Sequence, residues 1–68
     1  MKIERLIKMA NDISNFFAAE PDKEVAINGI THHLQRAWEP RMRSAISAYC
    51  QEDGTGLSDL AKAAVMRL

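Results

Sequence analysis

Hydrophobic side chains recur at intervals of three and four residues over the first part of the chain. This spacing places them along one face of an α-helix, with charged residues on the other faces. The pattern predicts a first helix over residues 3–19, because no proline or glycine interrupts it. Its apolar stripe consists of Ile3, Leu6, Ile7, Ala10, Ile13, Phe16 and Phe17. The last two diverge by about 100° on a helix, so at most one ring should point into the core.

Two prolines divide the part of the chain that follows. Pro21 is suited to open a second helix, which we expect to continue to about Trp38. Pro40 lacks a backbone donor and steers Glu39 away from helical angles. It therefore predicts a break after the second helix and the start of a third helix at Pro40 itself.

The second helix has a less regular apolar side. We expect its buried positions to be Ala26, Ile27, Ile30, either His33 or Leu34, and either Ala37 or Trp38. Gly29 lies inside this helix, where glycine costs roughly 1 kcal/mol relative to alanine. A close approach of another helix at Gly29 would offset that cost, and we prefer this interpretation to a functional kink.

Two more helices complete the pattern. The third carries Met42, Ala45, Ile46 and Tyr49 at core spacing, and Gly54 suits the position just after its end. Ser58 can cap a fourth helix. The apolar stripe of this fourth helix is Leu57, Leu60, Ala61, Ala64, Val65 and Leu68. The chain is thus predicted to be a single all-α domain over residues 1–68, a small bundle of three to four amphipathic helices with a proline-marked break between helices two and three.

Composition narrows the possible functions. Nine basic residues balance nine acidic ones, which argues against general affinity for nucleic acid. No apolar run approaches the roughly 20 residues of a membrane span, and no signal-peptide hydrophobic region follows Met1 and Lys2. A lone cysteine is normal in a reducing cytoplasm. We therefore expect a cytoplasmic protein without membrane contact.

The polar residues do not form a recognisable catalytic or metal-binding motif. One cysteine cannot hold an iron–sulfur cluster, which needs about four protein ligands. His32 and His33 are adjacent, so they diverge on a helix and cannot easily share a metal ion. No nucleophile–base pair or phosphate loop is visible. We expect no catalytic, cofactor-binding or metal-binding residue in this chain, and no enzyme activity of its own.

The region around Pro40 is the best candidate for a binding surface. Arg41 and Arg43 place two cations in the first turn of a helix, where the helix dipole favours anions. Both lie outside the apolar stripe, so their joint removal should leave the fold intact. Trp38 could equally fill the core or contact a partner, since tryptophan and arginine are frequent in interface hot spots. The predicted partner-binding residues are Trp38, Arg41, Arg43, His33 and Arg36.

Several segments match a family pattern that helix periodicity does not explain. The most specific is the string Trp38-Glu39-Pro40-Arg41-Met42-Arg43. The others are residues 5–11, Ile13, Phe16-Phe17, His33-Leu34, Leu57, Ala64-Val65 and Leu68. Together these segments resemble the small delta subunit of NAD-dependent, molybdenum-containing formate dehydrogenases, and the resemblance covers nearly the whole chain.

The resemblance implies a non-catalytic accessory subunit. Such a subunit would bind the catalytic subunit of a cytoplasmic formate dehydrogenase, or its assembly intermediates, and support assembly, cofactor maturation or stability. The chemistry would reside in the larger partners. They would oxidise formate at a molybdenum pterin dinucleotide centre and pass electrons through iron–sulfur clusters and FMN to NAD.

Two alternatives do not depend on the resemblance. The first is a free-standing helical homodimer that acts as an adaptor, because a core of this size rarely supplies more than roughly 3–5 kcal/mol and no disulfide supports it. The second is a helix-turn-helix DNA-binding domain formed by helices two and three. We consider it weaker, because the residues after Arg43 include few side chains that could contact bases.

Overall fold

The computed structural model describes residues 2–68, and all regular structure in that range is α-helical. The helices are α1 (Ile3–Phe17), α2 (Lys23–Ala37), α3 (Pro40–Glu52) and α4 (Asp59–Val65). This arrangement confirms the predicted all-α bundle, although α1 ends two residues earlier than expected. None of these helices is both long and apolar enough to cross a membrane.

Helices α1 and α4 form the centre of the bundle, because each of them packs against all three other helices. Helices α2 and α3 are consecutive in the chain but barely touch each other, so they lie on opposite sides of this central pair. The four apolar stripes meet in one core. Its buried members are Leu6, Ala10, Ile27, Ile30, Leu34, Trp38, Ile46, Leu57, Ala61, Ala64 and Val65.

The start of α2 is set by an aspartate rather than by the neighbouring proline. The Asp22 carboxylate accepts hydrogen bonds from the backbone N–H groups of Glu24 at 3.0 Å and Val25 at 3.4 Å. Asp22 is therefore the N-cap, and α2 begins at Lys23. Pro21, which was expected to open the helix, lies one residue before the cap. The carboxylate decides the boundary because it satisfies N–H groups that lack partners within the helix.

The buried side of α2 resolves both alternatives left by the sequence. Leu34 and Trp38 are buried, whereas His33 is half-buried and Ala37 is exposed. Thr31 is also buried, which the apolar pattern did not indicate. The larger apolar side chains of α2 pack into the core and fix the rotation of the helix. Thr31 lies on the same side of α2 and is buried with them.

Thr31 links α2 to the end of α4. Its hydroxyl oxygen lies 3.0 Å from the carbonyl oxygen of Ile27 and 2.9 Å from that of Ala64. The one hydroxyl proton is shared between these two acceptors, of which the first lies in the preceding turn of α2 and the second on α4. The hydroxyl is thus satisfied where it is buried, and it specifies the position of α4 against α2.

Phe17 and Gly29 form the close contact between α1 and α2. A Cβ atom placed on Gly29 would lie only 2.5 Å from Cε1 of Phe17, so the aromatic ring occupies the space that a side chain would need. Gly29 therefore has a packing role, but it admits the side chain of Phe17. Phe16 is 81% exposed while Phe17 packs against the core, which confirms that at most one ring of the pair points inward.

The loop between α3 and α4 is stabilised by hydrogen bonds of its own residues and by a side chain of α1. Gly54 adopts φ +65° just after α3, and the Ser58 hydroxyl accepts a hydrogen bond from the N–H of Ala61 at 3.2 Å. Both features match the sequence prediction. From α1, Asn11 donates to the carbonyl oxygen of Gly56 at 2.7 Å and accepts from the N–H of Ser58 at 2.9 Å. The start of α4 is therefore tied to the middle of α1.

Candidate functional site

The corner at Pro40 consists of two extended residues between two helices. Trp38 has φ −94° and ψ 140°, and Glu39 has φ −66° and ψ 154°. Helix α2 ends just before them and α3 begins at Pro40, as the sequence predicted. The carbonyl oxygen of Glu39 accepts from the N–H groups of Met42 at 3.0 Å and Arg43 at 3.1 Å. The first turn of α3 is therefore well formed.

Arg43 reaches back across this corner to α2. Its Nη1 donates to the carbonyl oxygen of Gln35 at 3.1 Å and to that of Trp38 at 2.5 Å. These carbonyls belong to the last turn of α2 and to its C-cap residue Trp38, where a helix leaves acceptors without partners. The structure corrects the expectation that both arginines stand apart from the fold. Arg43 is half-buried and hydrogen-bonded, whereas Arg41 is exposed.

Trp38 lies in the core of this chain. It is 4% exposed and belongs to the buried cluster, and Met42 packs against the same cluster from α3. The indole therefore supports the corner from within. Contact between Trp38 and a partner stays a prediction.

The other two predicted site residues lie on the last turns of α2. Arg36 is exposed, and His33 is half-buried at the edge of the core. Arg36 is the one basic residue in the final turn of α2, where a cation interacts favourably with the helix dipole. Neither residue lines the groove beside Arg41, so the five predicted residues do not form one continuous pocket.

A groove opens between α1 and α3 beside Arg41. Its volume is about 440 Å³, and it is lined by Arg5, Leu6, Met9, Glu39, Arg41 and Met42. Arg5 and Met9 were not among the residues predicted to form the site. Met9 lies off the main apolar stripe of α1, and that position was the available signal that it faces something other than the core.

A second shallow depression adjoins the first along the exposed side of α1. Its lining residues are Lys2, Glu4, Arg5 and Lys8. Arg5 is shared by the two depressions, so they form one continuous surface. Lys8 is partly neutralised there, since its Nζ lies 3.0 Å from a carboxylate oxygen of Asp12.

An ion pair joins α2 to Arg67, which follows α4. Nη2 of Arg67 lies 2.8 Å from a carboxylate oxygen of Glu24, and Nη1 donates to Asn28 at 2.8 Å. The hydrogen bond and the charge of Arg67 lower the pKa of Glu24, and Glu24 in turn raises the pKa of Arg67. These groups join α2 to the residues after α4 and lie outside the groove.

A second carboxylate with a shifted pKa lies in the loop after α3. The hydroxyl and the N–H of Thr55 donate to Asp53 at 2.6 and 2.7 Å, and these bonds lower the pKa of Asp53. The interaction is contained within the loop. It explains the local turn and does not mark a reactive group.

The histidine, cysteine and carboxylate side chains of residues 2–68 are dispersed over the fold. Within residues 2–68, no three histidine, cysteine, aspartate or glutamate side chains converge on a common point. Cys50 is half-buried and its Sγ lies 3.9 Å from the carbonyl oxygen of Lys62. A single thiol in this setting does not provide the ligand set of an iron–sulfur cluster.

Most of the chain matches a family of known proteins. A family model described as the NADH-dependent formate dehydrogenase delta subunit FdsD matches residues 5–65. No curated protein and no solved structure gives a significant match. The matched range includes all of α2, α3 and α4 and all but the first two residues of α1.

Proposed function

Because the chain belongs to the family of NADH-dependent formate dehydrogenase delta subunits, we propose that it is a non-catalytic accessory subunit of such an enzyme. It binds the catalytic subunit or its assembly intermediates and supports assembly, cofactor maturation or stability of the complex. The observation that carries this proposal is the family match over residues 5–65. Such a complex operates in the cytoplasm.

In this proposal the partners hold every redox group. They contain the molybdenum pterin dinucleotide, the iron–sulfur clusters and FMN, and they transfer electrons from formate to NAD. The delta subunit contributes no ligand to these groups, in keeping with its lone half-buried cysteine and its divergent histidines. Its contribution is a binding surface on a small helical scaffold.

The proposed contact surface is centred on Arg41 and extends along the Pro40 corner. Arg41 is exposed at a rigid turn, so its guanidinium can bind a partner without loss of packing. Arg36 and His33 adjoin the corner on α2. Arg43 and Trp38 act mainly by holding the corner in shape, through the hydrogen bonds to α2 and through core packing respectively.

The experiment that tests this function is co-purification from cells that naturally produce the protein. An affinity tag on the chain should retain the catalytic subunit of a formate dehydrogenase, identified by mass spectrometry. A strain without the chain should then contain less NAD-dependent formate dehydrogenase activity, restored by the wild-type gene supplied in trans. Retention of no formate dehydrogenase subunit, together with full activity in the deletion strain, would refute the proposal.

A second candidate is a helical adaptor that forms homodimers, and the exposure of Phe16 favours it. An aromatic side chain that is 81% exposed is a common element of protein interfaces. Sedimentation of the isolated chain over a range of concentrations tests for the homodimer, which the isolated accessory subunit could also form. The helix-turn-helix alternative has less support, because α2 and α3 barely touch.

A further inference from the structure

We infer that the groove between α1 and α3 receives an acidic, partly apolar segment of the partner subunit. The inference rests on the proposed function, since it specifies the chemistry by which an accessory subunit would recognise its partner. The groove has an apolar floor with an arginine on each side, one from α1 and one from α3. The apolar floor favours an apolar side chain, and the two arginines favour an acidic group in the same segment.

The floor of the groove consists of flexible apolar side chains. Leu6 is buried beneath it, and Met9 and Met42 are half-buried and pack against the core. Methionine adapts its shape to different apolar groups, and for this reason it is frequent at protein-binding surfaces. A leucine or phenylalanine side chain of a partner would be accommodated here.

The two sides of the groove carry unpaired positive charge. Arg5 and Arg41 are both exposed, and neither forms a salt bridge within residues 2–68. A guanidinium group binds a carboxylate through two parallel hydrogen bonds, which gives directional recognition as well as attraction. Glu39 is the one acidic residue that lines this groove, so positive charge is in excess there.

The surrounding surface extends this positive field. Of the six charged residues that line the groove and the adjoining depression, four are basic. The chain as a whole is neutral, so the rest of it carries more acidic than basic residues. An acidic segment would therefore be drawn to this face more than to the rest of the chain, which orients the complex before contact is made.

Charge reversal tests the inference with a matched control. Arg5, Arg41 and Lys23 all lie in the first turns of their helices, where a glutamate interacts favourably with the helix dipole. R5E, R41E and K23E should therefore all fold, which circular dichroism would verify. Binding to the formate dehydrogenase catalytic subunit is then measured by titration at low and high salt.

The double variant R5E/R41E should bind about 30-fold more weakly than the wild type, the range of an interface hot spot. Its affinity should also respond less to salt. K23E reverses one charge outside the groove, as R5E and R41E each do inside it, and should bind like the wild type. If the wild type binds the catalytic subunit and R5E/R41E binds it equally tightly, the groove inference is wrong and the proposed function stands. If the wild type does not associate, both are wrong.

Photo-crosslinking identifies the occupant directly. A benzophenone amino acid in place of Met9 should capture a segment of the catalytic subunit that contains aspartate or glutamate beside an apolar residue. The same photoreactive residue at position 23 should not capture that segment. Capture of a neutral or basic segment from position 9, or of nucleic acid, would overturn the assignment.

Discussion

The guanidinium of Arg43 closes the corner at Pro40 by donating to the carbonyl oxygen of Trp38, 2.5 Å away, and to that of Gln35. An arginine at the start of α3 thereby completes the end of α2. The unfavourable placement of a cation at a helix N-terminus is offset, because the charge reaches the C-terminal end of the preceding helix. Arg43 and Arg41 are two residues apart in sequence and have separate roles.

The first prediction concerns the separate roles of Arg43 and Arg41. Arg43→Ala should lower the free energy of unfolding by about 1–2 kcal/mol, because it removes charge-assisted hydrogen bonds to carbonyls at a half-buried corner. Arg41→Ala should change it by less than about 0.5 kcal/mol, because Arg41 is exposed and forms no salt bridge with another described residue. Urea denaturation followed by circular dichroism measures both.

Arg43→Lys is the matched control for the loss of charge. A lysine keeps the positive charge but lacks the planar guanidinium, whose Nη1 donates to both carbonyls. It should therefore recover only part of the stability. Equal stabilities of Arg43→Ala and the wild type would show that the hydrogen bonds at the corner do not stabilise the fold.

Local rules in the sequence were enough to predict the helix order and most helix ends. The break at Pro40, the cap at Ser58 and the glycine after α3 each depend on residues within one turn. Besides the end of α1, the exception was the start of α2, where two local signals competed. Pro21 and Asp22 both suit a helix N-terminus, and the side-chain hydrogen bonds of Asp22 decided between them.

The contacts between helices were beyond the reach of the sequence pattern. Thr31 is polar and yet buried, because its partner carbonyl belongs to Ala64 on another helix. Arg5 and Arg41 line one groove only because α1 packs against α3. Periodicity assigns a residue to a face of its own helix, but it does not say which face of another helix lies opposite.

A second prediction tests the link between α2 and α4. Thr31→Val preserves the shape of the side chain but removes the hydroxyl, so it should lower the free energy of unfolding by about 1 kcal/mol. Thr31→Ser keeps the hydroxyl and loses one methyl group, which serves as the control for the polar contact. Amide hydrogen exchange in α4 should accelerate in Thr31→Val more than in Thr31→Ser. Equal protection in both variants would contradict a role for the hydroxyl.

A third prediction follows from the lowered pKa of Glu24. A carboxyl group whose pKa is lower in the folded than in the unfolded state adds stability above its unfolded pKa, and loses that contribution as pH falls through the folded pKa. Glu24→Gln should therefore melt at a lower temperature than the wild type at neutral pH. The two melting temperatures should converge as the pH falls below the ordinary glutamate value of 4.5.

Arg67→Gln provides the reciprocal control for that ion pair. It removes the cation that lowers the pKa of Glu24. The difference in melting temperature between Arg67→Gln and Glu24→Gln should therefore not change as the pH falls. A constant gap in melting temperature between wild type and Glu24→Gln from neutral to acidic pH would contradict the linkage. Because the pair is exposed, high salt should also reduce the effect.

The last prediction concerns the contact between Phe17 and Gly29. Alanine at position 29 gains helix propensity of roughly 1 kcal/mol, but its Cβ would overlap the Phe17 ring, which a half-buried aromatic side chain cannot avoid without losing packing. Gly29→Ala should therefore destabilise the wild type, yet stabilise a Phe17→Ala background, where the overlap is gone. Urea denaturation of both single variants and the double variant gives the coupling between the two positions, with an expected size of about 1–2 kcal/mol. If Gly29→Ala stabilises both backgrounds equally, the glycine is not required by the ring, and the close approach of α1 to α2 must depend on other side chains.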